Sequence, residues 1–121
     1  EKAHQLKVLN GLSPSPKQKS IANALDPNLK RIVQEIKKII RYYTERVPEA
    51  RTIEQVIIVG GGSNLPGIGE FFTDNLVVAS RVASPWQMLN FAKLPQPARQ
   101  FKSRYLTVAG LASVKPEEIW Q

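Results

Sequence analysis

The chain has 121 residues, no cysteine and a formal net charge of +7 at pH 7. This length suits one compact domain or a piece of a larger protein. The lack of cysteine excludes a disulfide framework and a thiolate metal site, and no apolar run is long enough to span a bilayer. A reducing, cytoplasmic setting fits this composition. The positive charge favours non-specific attraction to anions, but by itself it identifies no partner.

The chain opens with a predicted helix over residues 1–12, which ends at the stop signal Gly11. It begins abruptly in charged sequence, and the only methionine is Met88. We therefore expect a fragment or a trimmed chain. The stretch 13–20, SPSPKQKS, is polar, basic and broken by proline, so it is predicted to be a flexible loop.

A long amphipathic helix is predicted next. Asp26 suits the N-cap, Pro27 suits the first helical position, and Pro48 ends the helix. The apolar stripe comprises Leu29, Ile32, Val33, Ile36, Ile39, Ile40, Tyr43 and Val47. The basic face comprises Lys30, Arg31, Lys37, Lys38 and Arg41. Glu35 is placed to pair with Arg31. A solvated helix face is the simpler interpretation, and a surface for nucleic acid or anionic lipid is the alternative.

The stretch 53–72 places an apolar strand, a glycine cluster and a helix start in direct succession. Residues 56–59 are consecutive β-branched residues, which predict a strand buried on both faces, as in a parallel sheet. The three glycines at 60–62 allow a sharp turn and the close approach of a phosphate, a sugar or another backbone. Pro66 then suits the first turn of a helix. The apolar positions of that helix are Ile68, Phe71, Phe72 and Leu76.

Two common phosphate-loop motifs fail at the position that carries their chemistry. A dinucleotide fingerprint beginning at Gly60 needs a sixth glycine, but Leu65 occupies that position. A P-loop from Gly62 to Gly67 needs a lysine next, and the residue is Ile68. The glycine turn is therefore open to two interpretations. It either contacts a ligand or serves only to let the helix pack back against the strand.

The last third of the chain predicts a second strand over residues 77–82, followed by a turn that contains Trp86. Trp86 is interpreted as a packing residue. A final helix with a small-residue face is predicted from Phe101, Tyr105, Val108, Ala109 and Ala112. The predicted fold class is α/β, with helices packed on a small sheet.

The run GGGSNLPGIGEFF resembles the adenosine motif of the actin, sugar-kinase and heat-shock-chaperone superfamily of ATPases, in which a strand delivers two glycines beneath the nucleotide. Gly60 and Gly61 match that pair. Together with the following short strand and the SPW turn, the run is most similar to the PilM family of type IV pilus assembly proteins. The related FtsA cell-division family is the nearest alternative. The resemblance implies that residues 1–121 are one C-terminal fragment of the ribonuclease H-like second lobe of an actin-like ATPase.

This resemblance also implies a set of nucleotide-binding residues. Gly60, Gly61 and Gly62 are expected to approach ribose and phosphates, the Ser63 amide to donate to phosphate, and Asn64 to face the adenine. Chaperone relatives carry arginine at the position of Asn64. The implied cofactor is ATP with Mg²⁺, the metal being held by other parts of the whole protein and not by this chain.

Lys7 completes the implied site from the first helix. It matches a lysine that in relatives reaches toward the ribose and base. His4 stands where relatives carry glutamate, which removes a carboxylate that would accept hydrogen bonds from ribose hydroxyls. Both residues have a second interpretation, because a lone histidine and a lone lysine on a terminal helix are usually solvated.

The sequence contains no credible catalytic triad, metal cluster or pair of catalytic carboxylates. The chain alone is therefore not predicted to hydrolyse ATP, and ATPase activity of the whole protein is left open. The family implies a cytoplasmic platform peripheral to the bacterial inner membrane. Its implied partners are the tail of a PilN-like membrane protein, bound through a first lobe outside this chain, and other pilus assembly components. Self-association is left open.

Two alternatives come from other classes of protein. In the first, the chain is a scaffold fragment whose glycine turn is structural and binds no nucleotide. In the second, it is a basic nucleic-acid-binding module that uses the cationic helix face. No specific nucleic-acid partner is predicted, because that face lacks interleaved exposed aromatic residues.

Overall fold

The computed structural model describes residues 1–13, 18–115 and 117, and it has a mixed α/β architecture. In chain order the helices are α1 Lys2–Asn10, α2 Gln18–Arg46, α3 Ile68–Leu76, α4 Arg99–Lys102 and α5 Leu106–Ser113. The strands are β1 Gln55–Ile58 and β2 Ala79–Val82, and short 3₁₀ turns lie at Gly61–Asn64 and Pro85–Gln87. The predicted α/β class is confirmed.

The two strands form a parallel sheet, in which Gln55 lies opposite Ala79 and Ile58 lies opposite Val82. Because parallel neighbours need a crossover connection, the chain leaves β1 through the glycine turn and returns along α3. Thr73 ties this helix to β2. Its hydroxyl accepts a hydrogen bond from the Ser80 amide at 2.9 Å and donates one to the Gly69 carbonyl at 2.9 Å. The glycine turn, α3 and β2 therefore form one connected β–α–β unit.

The hydrophobic core lies between α2, α3 and the sheet. Its buried members are Leu29, Val33, Ile68, Phe72 and Leu76. Val56 and Ile58 of β1 pack partly buried against this cluster. The apolar positions predicted for α3 are confirmed, since three of them are buried and Phe71 packs partly buried beside them.

The strand β1 differs from the prediction of burial on both faces. Val56 and Ile58 point to the core, but the side chains of Ile57 and Val59 are 52% and 60% exposed. The reason is that, among the described residues, α2 and α3 contribute a core to one face of the sheet only. The consecutive β-branched residues are thus compatible with two-sided burial without requiring it.

The predicted start of α2 is wrong. The helix begins at Gln18, so Pro27 lies inside it and Asp26 is not its N-cap. The Asp26 carboxylate instead pairs with the Lys30 ammonium at 2.8 Å. Leu25 packs against the core, so the apolar stripe extends before the proline and tertiary contact outweighs the local stop signal. Of the predicted loop 13–20, the last three residues are helical, and residues 14–17 lie outside the described part of the chain.

The single final helix that was predicted is broken into two. α4 ends at Lys102, and α5 begins at Leu106 after a turn. Ala109 is buried, while Val108 is 59% exposed, so only part of the predicted small-residue face is covered. Trp86 is buried, as its interpretation as a packing residue requires, and its ring stacks on Phe91 with centroids 6.2 Å apart.

Candidate functional site

The glycine turn after β1 is held by hydrogen bonds within itself. Gly60 has a left-handed φ of 88°, which side-chain-bearing residues rarely adopt. Its carbonyl accepts hydrogen bonds from the Ser63 amide at 3.1 Å and from the Ser63 hydroxyl at 2.7 Å. The Ser63 amide, which the resemblance expects to donate to a phosphate, thus donates within the turn in this structure. Ser63 is buried, and its two hydrogen bonds to Gly60 hold the turn together.

The next two glycines have no such structural reason to be glycine. Neither Gly61 nor Gly62 has a positive φ. A Cβ atom built on either residue meets nothing within 4 Å. Glycine in a helical turn loses more conformational entropy on folding than a residue with a side chain. These two residues therefore keep a surface free of side chains at a cost in stability that the described fold does not require.

A cavity of about 370 Å³ opens beside this turn. Five of the six residues predicted to bind nucleotide line it: Lys7, Gly61, Gly62, Ser63 and Asn64. Gly60 does not line the cavity and acts through its φ angle. The remaining wall is apolar and consists of Val8, Leu25, Leu29, Ile32, Ile58, Val59, Leu65, Ile68 and Phe72. Among the residues that the structure describes, none with a carboxylate side chain lines this cavity.

His4 lies next to this site, in the wall of an adjoining cavity of about 940 Å³ that also contains Gln5 and Asn64. Asn64 lines both cavities. Lys7 and His4 are both exposed, so the helix α1 presents them without burying either.

Two closely packed segments, each containing a glycine, hold the end of α1 against the turn before α3. The Leu12 amide donates to the Pro66 carbonyl at 2.7 Å. Gly11 has φ +49°, and a Cβ there would lie 2.5 Å from Pro66 Cδ. Gly67 has φ +80°, and its Cβ would lie 2.9 Å from the Leu12 carbonyl carbon. We call residues 11–12 and 66–67 the glycine clasp. It places α1, and with it Lys7, at the edge of the cavity.

Sequence reasoning missed this clasp. Gly11 was interpreted only as a helix stop, which it is, and Gly67 only as a failed P-loop position. The local signal was a glycine next to Pro66, but nothing in the local pattern pairs two segments so far apart in the chain.

The basic face of α2 carries two exposed ion pairs. Lys30 pairs with Asp26, and Lys38 pairs with Glu35 at 2.8 Å, so the predicted pairing of Glu35 with Arg31 is wrong. The hydrogen bond and charge of Lys38 lower the pKa of Glu35, and Arg31 contributes less. The resulting stabilisation is present above the ordinary glutamate pKa and is lost as the pH falls through the lowered value. It is small because both side chains are exposed.

Within the described part of the chain, no group of three or more His, Asp or Glu residues could hold a metal ion. The same residues include no helix that is both long and apolar enough to cross a membrane.

The fold and the cavity define an α/β unit whose candidate site lies at the carboxyl end of a strand, where ligands of open α/β sheets commonly bind. The chain belongs to the family of type IV pilus assembly protein PilM, whose family model matches residues 1–115. Membership connects the chain with type IV pilus assembly, with other pilus assembly components as partners and with the machinery of the cell envelope. Searches of curated proteins and of solved structures found no match.

Proposed function

We propose that this chain forms the adenosine side of an ATP-binding cleft in a type IV pilus assembly protein. The proposal rests on the conformation and the surroundings of Gly61 and Gly62. Neither backbone angle nor crowding requires glycine there, yet both line a cavity. Glycines of this kind suit a surface that a ligand must approach closely.

The chemistry of the cavity supports a nucleoside at this position. Its volume lies within the usual range for small-molecule sites, and its walls are largely apolar. An apolar wall suits the faces of a purine and the carbon skeleton of ribose. Asn64 carries both a donor and an acceptor for the edge of a base. The Lys7 ammonium offers a positive charge to ribose or phosphate oxygens.

The proposal does not extend to hydrolysis by this chain. Mg²⁺ prefers carboxylate and phosphate oxygens, and the described residues that line the cavity include no carboxylate. Bound Mg²⁺ would serve to neutralise the phosphates of ATP. Its protein ligands would belong to other parts of the whole protein, and the residues described above would bind and orient the nucleoside.

Within pilus assembly, the same proposal places the whole protein on the cytoplasmic side of the bacterial inner membrane as a peripheral platform. There it would bind the cytoplasmic tail of a PilN-like membrane protein. The family match supports this placement through its connection with pilus assembly. The described residues would contribute the nucleotide cleft and not the peptide site.

Calorimetric titration of magnesium-ATP into the intact protein tests the proposal. We expect Gly61→Val to fold, because its Cβ points into open space, and to bind ATP at least about tenfold more weakly because the valine fills the cavity wall. Gly110→Val is the matched control. Gly110 also has an open Cβ position, but it lies in α5 and does not line the cavity.

Equal ATP affinity in folded Gly61→Val and the unmodified protein would contradict the proposal. Failure of the unmodified protein to bind ATP would favour the scaffold alternative, in which the turn is architectural.

A further inference from the structure

The basic face of α2 lies on the side of the helix that is turned away from the core. Successive helical residues are rotated by about 100°, so Arg31 and Lys38 project almost opposite to the buried Leu29 and Val33. All five cationic residues of this face are exposed, and they form two neighbouring rows along the helix. The core and the proposed nucleotide cavity lie on the other side of α2. The basic face can therefore meet a second surface while the cavity is occupied.

The basic face keeps a positive charge beyond its internal ion pairs. Two of its five cations pair with acidic residues of the same helix. The other three, which make no ion pair within the described part of the chain, are Arg31, Lys37 and Arg41. Residues 20–46 as a whole contain six cationic and three acidic side chains. The helix therefore presents a net positive charge on a surface that the fold does not use.

Exposed apolar side chains border these cations. Ile39 is 68% exposed and Tyr42 is 65% exposed, and helical spacing places both beside Lys38 at the edge of the basic face. The Arg46 guanidinium lies 5.6 Å from the centre of the Tyr42 ring. At a bilayer surface, aliphatic and tyrosine side chains enter the interface while neighbouring cations meet the headgroups. This combination suits anionic lipid better than single-stranded nucleic acid, which stacks on several aromatic rings.

We propose that the basic face of α2 binds the anionic headgroups of a phospholipid bilayer. The proposal rests on the peripheral membrane placement proposed above and names the surface that makes the contact. From Lys30 to Arg41 the face is about 17 Å long, so its cations meet several headgroups of a flat surface together. Each cation near an anionic bilayer strengthens binding about fivefold. The face alone therefore binds weakly and reversibly, and it strengthens the binding of a membrane-protein tail by keeping the protein at the same surface.

Sedimentation of the intact protein with vesicles tests the lipid contact. The vesicles are phosphatidylcholine with and without phosphatidylglycerol, and they contain no membrane protein and no nucleotide. We expect binding to the vesicles that contain phosphatidylglycerol and none to phosphatidylcholine alone. Added salt should weaken the binding, because it screens exposed charges. Equal binding to both kinds of vesicle, or no binding to either at low salt, would overturn the proposal. Binding of the tail peptide is measured separately, so failure of the lipid contact is distinguished from failure of the placement.

Two double variants of equal charge locate the contact. Lys37→Gln with Arg41→Gln removes two exposed cations of the basic face and is expected to weaken vesicle binding about 25-fold. Lys93→Gln with Arg104→Gln is the matched control, because it removes the same charge from exposed residues outside α2. Glu45→Gln should strengthen binding, since it removes an exposed negative charge from the outward side of the same helix. Equal losses in the two double variants would overturn the assignment to this face.

A third variant separates a bilayer from other polyanions. Ile39→Ser is expected to weaken vesicle binding, because it removes a side chain that enters the interface, and to leave binding to duplex DNA unchanged. Ile39 is mostly exposed, so the variant should fold, and urea unfolding checks this for every variant. The lipid proposal is overturned if Ile39→Ser binds vesicles as tightly as the unmodified protein. Tighter binding to duplex DNA than to the vesicles at the same salt concentration would overturn it in favour of nucleic acid.

Discussion

Individual glycines in this chain have different physical roles, and the difference can be measured. Gly11 and Gly67 combine a positive φ with a close neighbour that leaves no room for a Cβ. Gly60 has the positive φ alone, and Gly62 has neither constraint. The sequence pattern identified the triplet at 60–62 as special but could not rank its members, because φ angles and neighbours are set by the fold.

Alanine substitutions are expected to destabilise the chain in that order. Gly67→Ala should lower the free energy of unfolding by about 2 to 4 kcal/mol, because strain in the left-handed region adds to the clash with Leu12. Gly60→Ala should cost about 1 to 2 kcal/mol from strain alone. Gly62→Ala should change stability by no more than about 0.5 kcal/mol. Urea unfolding measures all three, and equal losses at Gly62 and Gly67 would contradict the assignment.

Among the secondary-structure elements, the β–α–β unit was the best predicted and α2 and the C-terminal helices the least. β1, the turn and α3 follow each other so closely that local signals suffice. The start of α2 could not be predicted because it depends on the packing of Leu25 against the core. No local sequence pattern indicates that contact. The break between α4 and α5 depended in the same way on tertiary packing around Ser103 and Ala109, both buried.

The link between α3 and β2 provides a test at this scale. Thr73→Val keeps the shape of the side chain but removes the acceptor for the Ser80 amide. We expect a loss of about 1 to 3 kcal/mol in the free energy of unfolding, because the amide is left without its partner. Thr73→Ser retains the hydroxyl and should lose less. Urea unfolding that finds Thr73→Val as stable as the unmodified chain would show that this hydrogen bond does not hold β2.

For the whole molecule, the described residues form one small core with a cavity at the carboxyl end of β1. Sequence resemblance pointed to the PilM family, and the family match confirms it. The residues expected from the resemblance include Lys7 and the glycine turn. These lie far apart in the chain, yet the fold brings them together in the wall of one cavity. The resemblance could not foresee the internal hydrogen bond of the Ser63 amide, because that depends on how the 3₁₀ turn closes.

We propose that the open glycines of the turn, Gly61 and Gly62, serve the binding of a nucleotide and not the stability of the fold. The most direct measurement is urea unfolding of the intact protein and of Gly62→Val, each with and without magnesium-ATP. Without nucleotide, the two should differ by no more than about 1 kcal/mol, because the valine side chain enters open space. At a hundredfold excess of ATP over its Kd, the unmodified protein should gain about 2.7 kcal/mol and the variant much less. Equal gains in both proteins, or a variant already unfolded without ATP, would contradict this claim.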